Sequence, residues 1–519
     1  MRICFIDIVS IFSFILLSNN LFAQAREPIL QWQKTFGGSK LDWSTSICPT
    51  EDGGYVMAGY SESNDGIIKN SIGYGDFSII KIDYAGIVQW QKSLGGTNRD
   101  FAGCIKTTTD GGYIVAGYSY SNDKDVSGNH GYSDCWIAKL DKRGSVEWQK
   151  CFGGSYNDDV YSIIQTSDGG FAAAGFTDSK DGDLNGNYGK SDCWIIKLNN
   201  KGDLQWQKRL GGTEDDVAQS IDEAKDGGYI VAGYTSSNDI DINNFKGAVD
   251  AWIIKLQADG NLEWQKCFGG SEVEYAESIQ HTSDGGYVFT GMSYSKDGDV
   301  SNTHGGSDLW IVKLDKIGNL QWDKSFGGSN EERGFGIVET SDFGYAAAGL
   351  SYSTDGALRG RNINATAWVV EVTNRGQLLW QKNLGFNKQS ILYSIKETKD
   401  KGLIAAGFTA KTMGGSVDST ADFYVVKLLP EQDLYIPNAF TPNGDGLNDV
   451  WNLSFLSAFP QCKVEIFNRW GQLIFSSRGY QTPWDGTYKG TKLPAGIYCY
   501  VIDRGTGLKK NSGTLVVIR

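Results

Sequence analysis

The stretch SIIQTSDGGFAAAGFT (162–177), followed after a polar loop by DCWIIKLNNKGDLQWQK (192–208), decides the fold. Its S-D-G-G tetrad offers an Asx turn and glycines free to take positive φ, so it closes a hairpin. FAAAGFT and CWIIKL are apolar runs of strand length. N-N-K-G closes a second hairpin, with Gly202 at the left-handed position, and L-Q-W-Q-K follows as a fourth strand. No segment keeps a helical period, so the unit reads as four short strands.

The unit is copied along the chain. Trp32, Trp90, Trp148, Trp206, Trp264, Trp322 and Trp380 recur every 58 residues, and the glycines from Gly59 to Gly407 and the turn residues from Asp52 to Asp400 keep the same step. A constant step means one structural unit repeated without insertions. Radial repetition of four strands predicts an all-β, seven-bladed β-propeller over 26–429. The strand around Trp32 precedes any other strand of a unit. The seventh set, from about Ile391 to Leu428, lacks a Trp strand after it. The N-terminal strand is therefore expected to close the last blade. The seven tryptophans are read as packing at the blade edges rather than as a row of sugar-stacking platforms.

A length of 519 residues exceeds what one compact core holds. The formal charge of -13 repels phosphate backbones, so no nucleic-acid partner is expected. Three histidines, His130, His281 and His304, disfavour a three-histidine zinc centre. Residues 1–25 read as a signal peptide, with Arg2, an apolar run from Ile8 to Leu17 and Ala23-Gln24-Ala25, Asp7 being its awkward member. No segment approaches the ~20 apolar residues of a membrane span, so none is expected. Cys4 would leave with that peptide. The other eight cysteines suit an oxidising compartment, and Cys135–Cys151 across the DKRG hairpin and Cys462–Cys499 in the tail are the expected disulfides.

The 58-residue step ends at Leu429, and Pro430, Pro437 and Pro442 mark a change of composition. IPNAFTPNGDGLNDVWNL (436–453), VEIFNRWGQLIFSS (464–477), WDGTYKGTKLPAGIYCYVID (484–503) and GTLVVIR (513–519) follow in order. Their alternation predicts a small Ig-like β-sandwich over 430–519. These four strings closely resemble the C-terminal domain of gliding-motility-associated proteins, the type B sorting domain of the type IX secretion system. The resemblance implies a Bacteroidetes-type cargo that crosses the inner membrane by its signal peptide. Its tail would then be recognised by the type IX machinery, and the protein attached to the outer cell surface or released. The string KLDxxGxLxW resembles the tryptophan-docking motif of quinoprotein-type propellers. That motif joins the third and fourth strands of a blade and sets the Trp strand outermost.

Four loops carry alternating oxygen side chains. They are Asp123-x-Asp125-x-Ser127-x-Asn129, Asp181-x-Asp183-x-Asn185-x-Asn187, Asp239-x-Asp241-x-Asn243 and Asp297-x-Asp299-x-Ser301. Such a loop can wrap Ca2+, although the closing glutamate of a full calcium loop is missing; the same residues also build Asx turns. Asp445, Asn448 and Asp449 offer a similar string in the tail. Asp42, Asp100, Asp158, Asp216, Glu274 and Glu332 each lie ten residues beyond a Trp and begin the innermost strand. They would either ring one mouth of a central channel or hydrogen-bond a neighbouring turn. Adjacent acids such as Asp158-Asp159 point to opposite faces of a strand and do not converge on one bond. G-x-S-x-G and H-E-x-x-H are absent. The expected function is a secreted or cell-surface, non-enzymatic binding or adhesion protein with a glycan or protein ligand. Ca2+ is the one candidate cofactor. An extracellular polysaccharide-acting enzyme and a structural spacer are the alternatives.

Overall fold

The computed structural model describes residues 27–519, apart from 185–188, 356–364, 386–388, 411–419, 431–435, 454–455, 457–458, 460 and 506–509. The expected signal peptide and Asn185 lie outside the described residues. β1 (Ile29–Phe36) opens the chain. β2 (Asp42–Pro49), β3 (Tyr55–Ser61), β4 (Asp76–Ile82) and β5 (Val88–Leu94) then pair in that order as the first antiparallel sheet. Sheets two to six repeat the order over 100–152, 158–210, 216–268, 274–326 and 332–384. The seventh takes Ser390–Glu397, Leu403–Ala410 and Ala421–Leu429 from the end of the repeat and β1 from its start. Trp32 opposes Lys427 and Phe36 opposes Phe423. The innermost strands touch in turn, from β2 against Asp100–Thr107 round to Ser390–Glu397, which again touches β2. The result is a propeller-like ring of four-stranded sheets, with no helix among its named elements.

Two recurring glycines show why the step is rigid. In the third sheet the innermost strand bulges between Val160 and Ser162, and a Cβ on the facing Gly175 would run into the Asp159 carbonyl oxygen. That close approach fixes the series from Gly59 to Gly407. Gly202, at φ 80°, lies under the indole of the preceding sheet, where its Cβ would stand 2.8 Å from Trp148 Cζ3. The K-L-D-x-x-G string and the edge tryptophan are therefore one packing device between neighbouring sheets.

The third strand is buried along its whole length and the second at all but Phe176, while the fourth is half-exposed. The core consists of successive interfaces. Ile164, Ala174 and Ile195 of the third sheet meet Ile221, Val231 and Trp252 of the fourth. The largest buried side chains of the ring are the third-strand Trp136, Trp194, Trp252, Trp310 and Trp368.

In the tail, Ala439–Phe440, Asn511–Val517, Gly496–Asp503, Lys463–Phe467 and Leu473–Arg478 form a five-stranded sheet in that order, and Thr487–Tyr488 pairs with Thr491–Lys492 as a short ribbon. Its core holds Trp451, Val464, Ile466, Trp484, Ile502 and Leu515. Tyr480 Oη ties it together, donating to the Trp451 carbonyl at 2.7 Å and accepting from the Trp484 N–H at 3.1 Å.

Neither expected disulfide forms; all eight described cysteines are free. Cys135 opposes Phe152, whereas Cys151 opposes Trp136. A slip of one residue sends the two thiols to opposite faces of the sheet. In the tail Cys499 opposes Phe467, while Cys462 precedes the Lys463–Asp503 pair at the other end of the ladder. Cys462 is also buried and Cys499 exposed.

Candidate functional sites

The loop aspartates are engaged by the peptide link that enters their own sheet. Asp123 Oδ1 accepts the Thr97 N–H at 2.8 Å, Asp181 that of Ser155 at 2.8 Å, Asp239 that of Thr213 at 2.9 Å and Asp297 that of Ser271 at 2.8 Å. Asp125, Asp183, Asp241 and Asp299 accept at 3.2–3.3 Å from the N–H groups of Gly95, Gly153, Gly211 and Gly269. In the tail, Asp449 accepts the N–H groups of Gly444 and Gly446 at 2.6 and 2.8 Å, and Asp445 accepts that of Leu447 at 2.8 Å. The Gly444 and Gly446 N–H groups hold the Asp449 carboxyl below its ordinary range. Asn448, between these donors and Asp449, takes a left-handed φ of 53°. Among the described residues no cluster of three or more His, Cys, Asp or Glu side chains converges as a metal site.

The acids that begin each innermost strand are buried rather than set on a rim. Asp100 accepts from the Ser119 and Ser121 hydroxyls and, at 2.8 Å, from the Gly96 N–H. Asp158 and Asp216 repeat this with Thr177, Ser179 and Gly154, and with Thr235, Ser237 and Gly212. Asp42, Glu274 and Glu332 do the same with their own hydroxyls and glycines. Burial pushes the Asp100 carboxyl up to about 6 against those hydrogen bonds. His130 and His304, at equivalent loop positions, place Nδ1 2.7 and 3.2 Å from the buried carboxylates of Asp134 and Asp308.

The opposite end of the sheets holds a pattern that the sequence alone did not reveal. A buried third-strand lysine reaches the aspartate of the first hairpin turn in six sheets: Lys81, Lys139, Lys197, Lys255, Lys313 and Lys427 lie 2.8–2.9 Å from Asp52, Asp110, Asp168, Asp226, Asp284 and Asp400. At Asp168, desolvation pushes the carboxyl up, but the Lys197 and Thr166 hydrogen bonds outweigh it and carry it to about 2. The sixth sheet places Glu371 where the lysine should be. Glu371 therefore faces Asp342, with Thr340 Oγ1 3.5 Å from Glu371 and 2.5 Å from Asp342. Burial, with the Asp342 charge second, pushes Glu371 up to about 7. The two line a cavity of about 310 Å³ with Glu397, Lys401, Leu379 and Trp380. Glu397 accepts the Ser341 N–H at 2.8 Å. Laying the seven repeats over one another displays the exception, but its meaning needs the partner of the lysine.

At the loop end, Tyr74, Tyr132 and Tyr156 are 76%, 66% and 54% exposed, and the rings of Tyr132 and Tyr156 stack at 6.5 Å. Lys190, Ala248 and Gly306 stand at the Tyr132 position in other repeats.

Residues 434–517 match the CHU_C type IX secretion signal domain. The chain ends in a type IX secretion signal domain. It is thus a secreted cargo with a propeller-like fold, exported to the cell surface or released, and its tail is what the type IX machinery recognises. No described helix is long and apolar enough to cross a membrane. The regulatory protein FlaEY of Caulobacter vibrioides is 29% identical over 170 residues, which span 30% of this chain and 18% of that protein. Among solved structures, PorZ of Porphyromonas gingivalis, a surface component of the type IX secretion system, covers 92% of this chain and 81% of its own at 10% identity and a TM-score of 0.27. Sqt1 from Chaetomium thermophilum covers 78% and 100% at 11% identity and 0.41. The Pan2 WD40 domain of Neurospora crassa covers 75% and 90% at 10% identity and 0.40.

Proposed function

We propose that the chain is a non-enzymatic binding or adhesion protein of the outer cell surface. In this reading a seven-bladed propeller, closed by its N-terminal strand, displays a ligand-contacting rim, and a small Ig-like sandwich at its C-terminus serves export. A signal peptide at 1–25 would begin that route. The observation that carries the reading is the group of exposed tyrosines at the loop end. They project from a scaffold whose other large rings are mostly buried, and an amphipathic ring on a rigid frame binds a glycan face or a protein surface at low entropic cost. A glycan array probed with the labelled chain tests it. Retention without released product, lost in Tyr132→Ala combined with Tyr156→Ala, supports the binding role. Retention that ignores both substitutions refutes the rim.

One observation favours a second reading, an enzyme acting on extracellular polysaccharide. Glu371 sits in a cavity with its carboxyl held near neutrality beside Asp342 and Glu397, which suits a general acid. Released sugar that disappears in Glu371→Gln would establish this reading in place of the first.

A further inference from the structure

One register of the innermost strands, repeated every 58 residues from Cys48 to Lys396, lies along the inner wall of the ring. Its polar side chains reach the next innermost strand: Asp222 accepts the His281 N–H at 2.9 Å and Gln280 accepts the Glu339 N–H at 3.0 Å. Two sheets place a lysine at this register, Lys106 on Asp100–Thr107 and Lys396 on Ser390–Glu397. An ammonium has no acceptor for that bond. Beside Lys396 the donor is missing as well, because the residue that follows round the ring is Pro49. Both lysines are therefore released from the task that this register performs elsewhere.

β2 touches both lysine-bearing strands, so Lys106 and Lys396 flank Cys48 across a single strand. Both are partly open to solvent. Neither ammonium has a hydrogen-bond or ion-pair partner among the described residues. The third-strand lysines differ in this respect, since each, like Lys197, holds a turn aspartate. The charge of Lys106 weighs most on Lys396 and, with burial, pushes its ammonium down to about 8, so two like charges share one space. At Lys106 burial works in the same direction, and the charges that lift it above its ordinary value are those of Cys104, Cys48 and Asp222. The thiols are uncharged at neutral pH. The Asp222 carboxylate is already taken up by the N–H and Nδ1 of His281.

We propose that the inner wall of the ring binds one divalent oxyanion, sulfate or phosphate, between Lys106 and Lys396. Each lysine offers three N–H donors on a flexible stem, which suits a tetrahedral ion approached from two sides. Two negative charges on the ion match two positive charges on the wall, and the enclosure strengthens their attraction relative to bulk water. The ion can come free from the medium or as an ester on a larger molecule, with the same contacts to the lysines. The site is separate from the exposed tyrosines and from the Glu371 cavity, and it stands whichever of those binds.

Calorimetric titration of the whole exported chain with sodium sulfate, in chloride buffer of matched ionic strength at neutral pH, reads the site. One saturating ion per chain is expected. Lys106→Met and Lys396→Met should each weaken binding at least about tenfold, whereas Lys396→Arg, which keeps the charge, should retain it. Lys190→Met, at an exposed lysine paired with Glu214, should change nothing. Either methionine variant removes one of two facing like charges, so its thermal midpoint in chloride should equal or exceed that of the wild type. A readout that needs no variant is acetylation of the wild type: sulfate should slow the reaction at Lys106 and Lys396 and not at Lys190. Displacement of sulfate by glucose 6-phosphate would support an esterified ligand, and displacement by inorganic phosphate alone would support the free ion. No saturable binding of sulfate by the wild type overturns the proposal. So does binding that survives in both methionine variants, or protection that is equal at Lys190.

Discussion

Replacing Glu371 by glutamine tests whether the sixth sheet carries a destabilising charge. The carboxyl is 8% exposed and is pushed from its ordinary 4.5 to about 7 by desolvation, with Asp342 and Glu397 adding repulsion. At 1.36 kcal/mol per pH unit, that displacement is worth roughly 3 kcal/mol between the two protonation states. The folded value lies above the unfolded one, so between them the folded chain keeps a proton that the unfolded chain has lost. Stability from this group is complete below the unfolded value and drains away as pH rises to about 7. Glutamine holds the neutral shape at every pH. The stability of Glu371→Gln minus that of the wild type should therefore grow from near zero at about pH 4.5 to about 3 kcal/mol at about pH 8. Urea unfolding across that range measures it. Taking the difference cancels other acids raised by burial, such as Asp100 and Asp134, both pushed up to about 6. A gap that stays constant with pH, or one that favours the wild type at high pH, refutes the reasoning.

Glu371→Lys should pair with Asp342 as Lys313 pairs with Asp284 at 2.9 Å; because Asp342 is exposed, the ion pair itself should add less than about 1 kcal/mol in a melt. Trp194→Ala removes a fully buried indole and should cost ~3–5 kcal/mol in chemical denaturation. Deleting residues 27–36 strips β1 from Ala421–Leu429, and hydrogen exchange should show that strand losing protection before the third sheet does. Alkylation of the denatured, unreduced chain should label all eight cysteines from Cys48 to Cys499, and a mass deficit of two labels would reveal a disulfide.

Much of the fold was legible because the repeat length is constant. Seven copies of a tryptophan, a bulge-facing glycine and a turn aspartate leave little freedom in where strands begin, and β1 had only one set without a fourth strand. The disulfides were not legible, since a one-residue register separates Cys135 facing Cys151 from Cys135 facing Phe152. Nor were the roles of the loop aspartates: calcium loops and Asx turns use the same side chains, and only the position of the Gly95–Thr97 amides shows what Asp123 and Asp125 hold. The acids from Asp42 to Glu332 were visible as a series, but their burial followed from the hydroxyls at the end of the next strand. Glu371 was hidden in plain view, because a lysine that contacts only its own turn looks like an ordinary surface charge until the ion pair is seen.

In a chain of near-copies, residues common to every unit must serve what every unit does, which is to pack against two neighbours. The glycine at each bulge, the indole over each turn and the lysine on each aspartate are of this kind. Their loss weakens one junction and leaves the ring's chemistry unchanged. A single unit that departs from the rule, and departs at several contacting positions together, is under a different demand. The first sheet has Ser78 where the next five have a buried tryptophan, and the sixth trades lysine for Glu371 beside a cavity. Each exchange costs stability that the other sheets retain, since it leaves a buried polar or charged group without its partner. Restoring the common residue should therefore stabilise the chain in both places. If Ser78→Trp and Glu371→Lys both destabilise instead, the departures are compensated elsewhere in the packing, and neither place is set apart for a ligand.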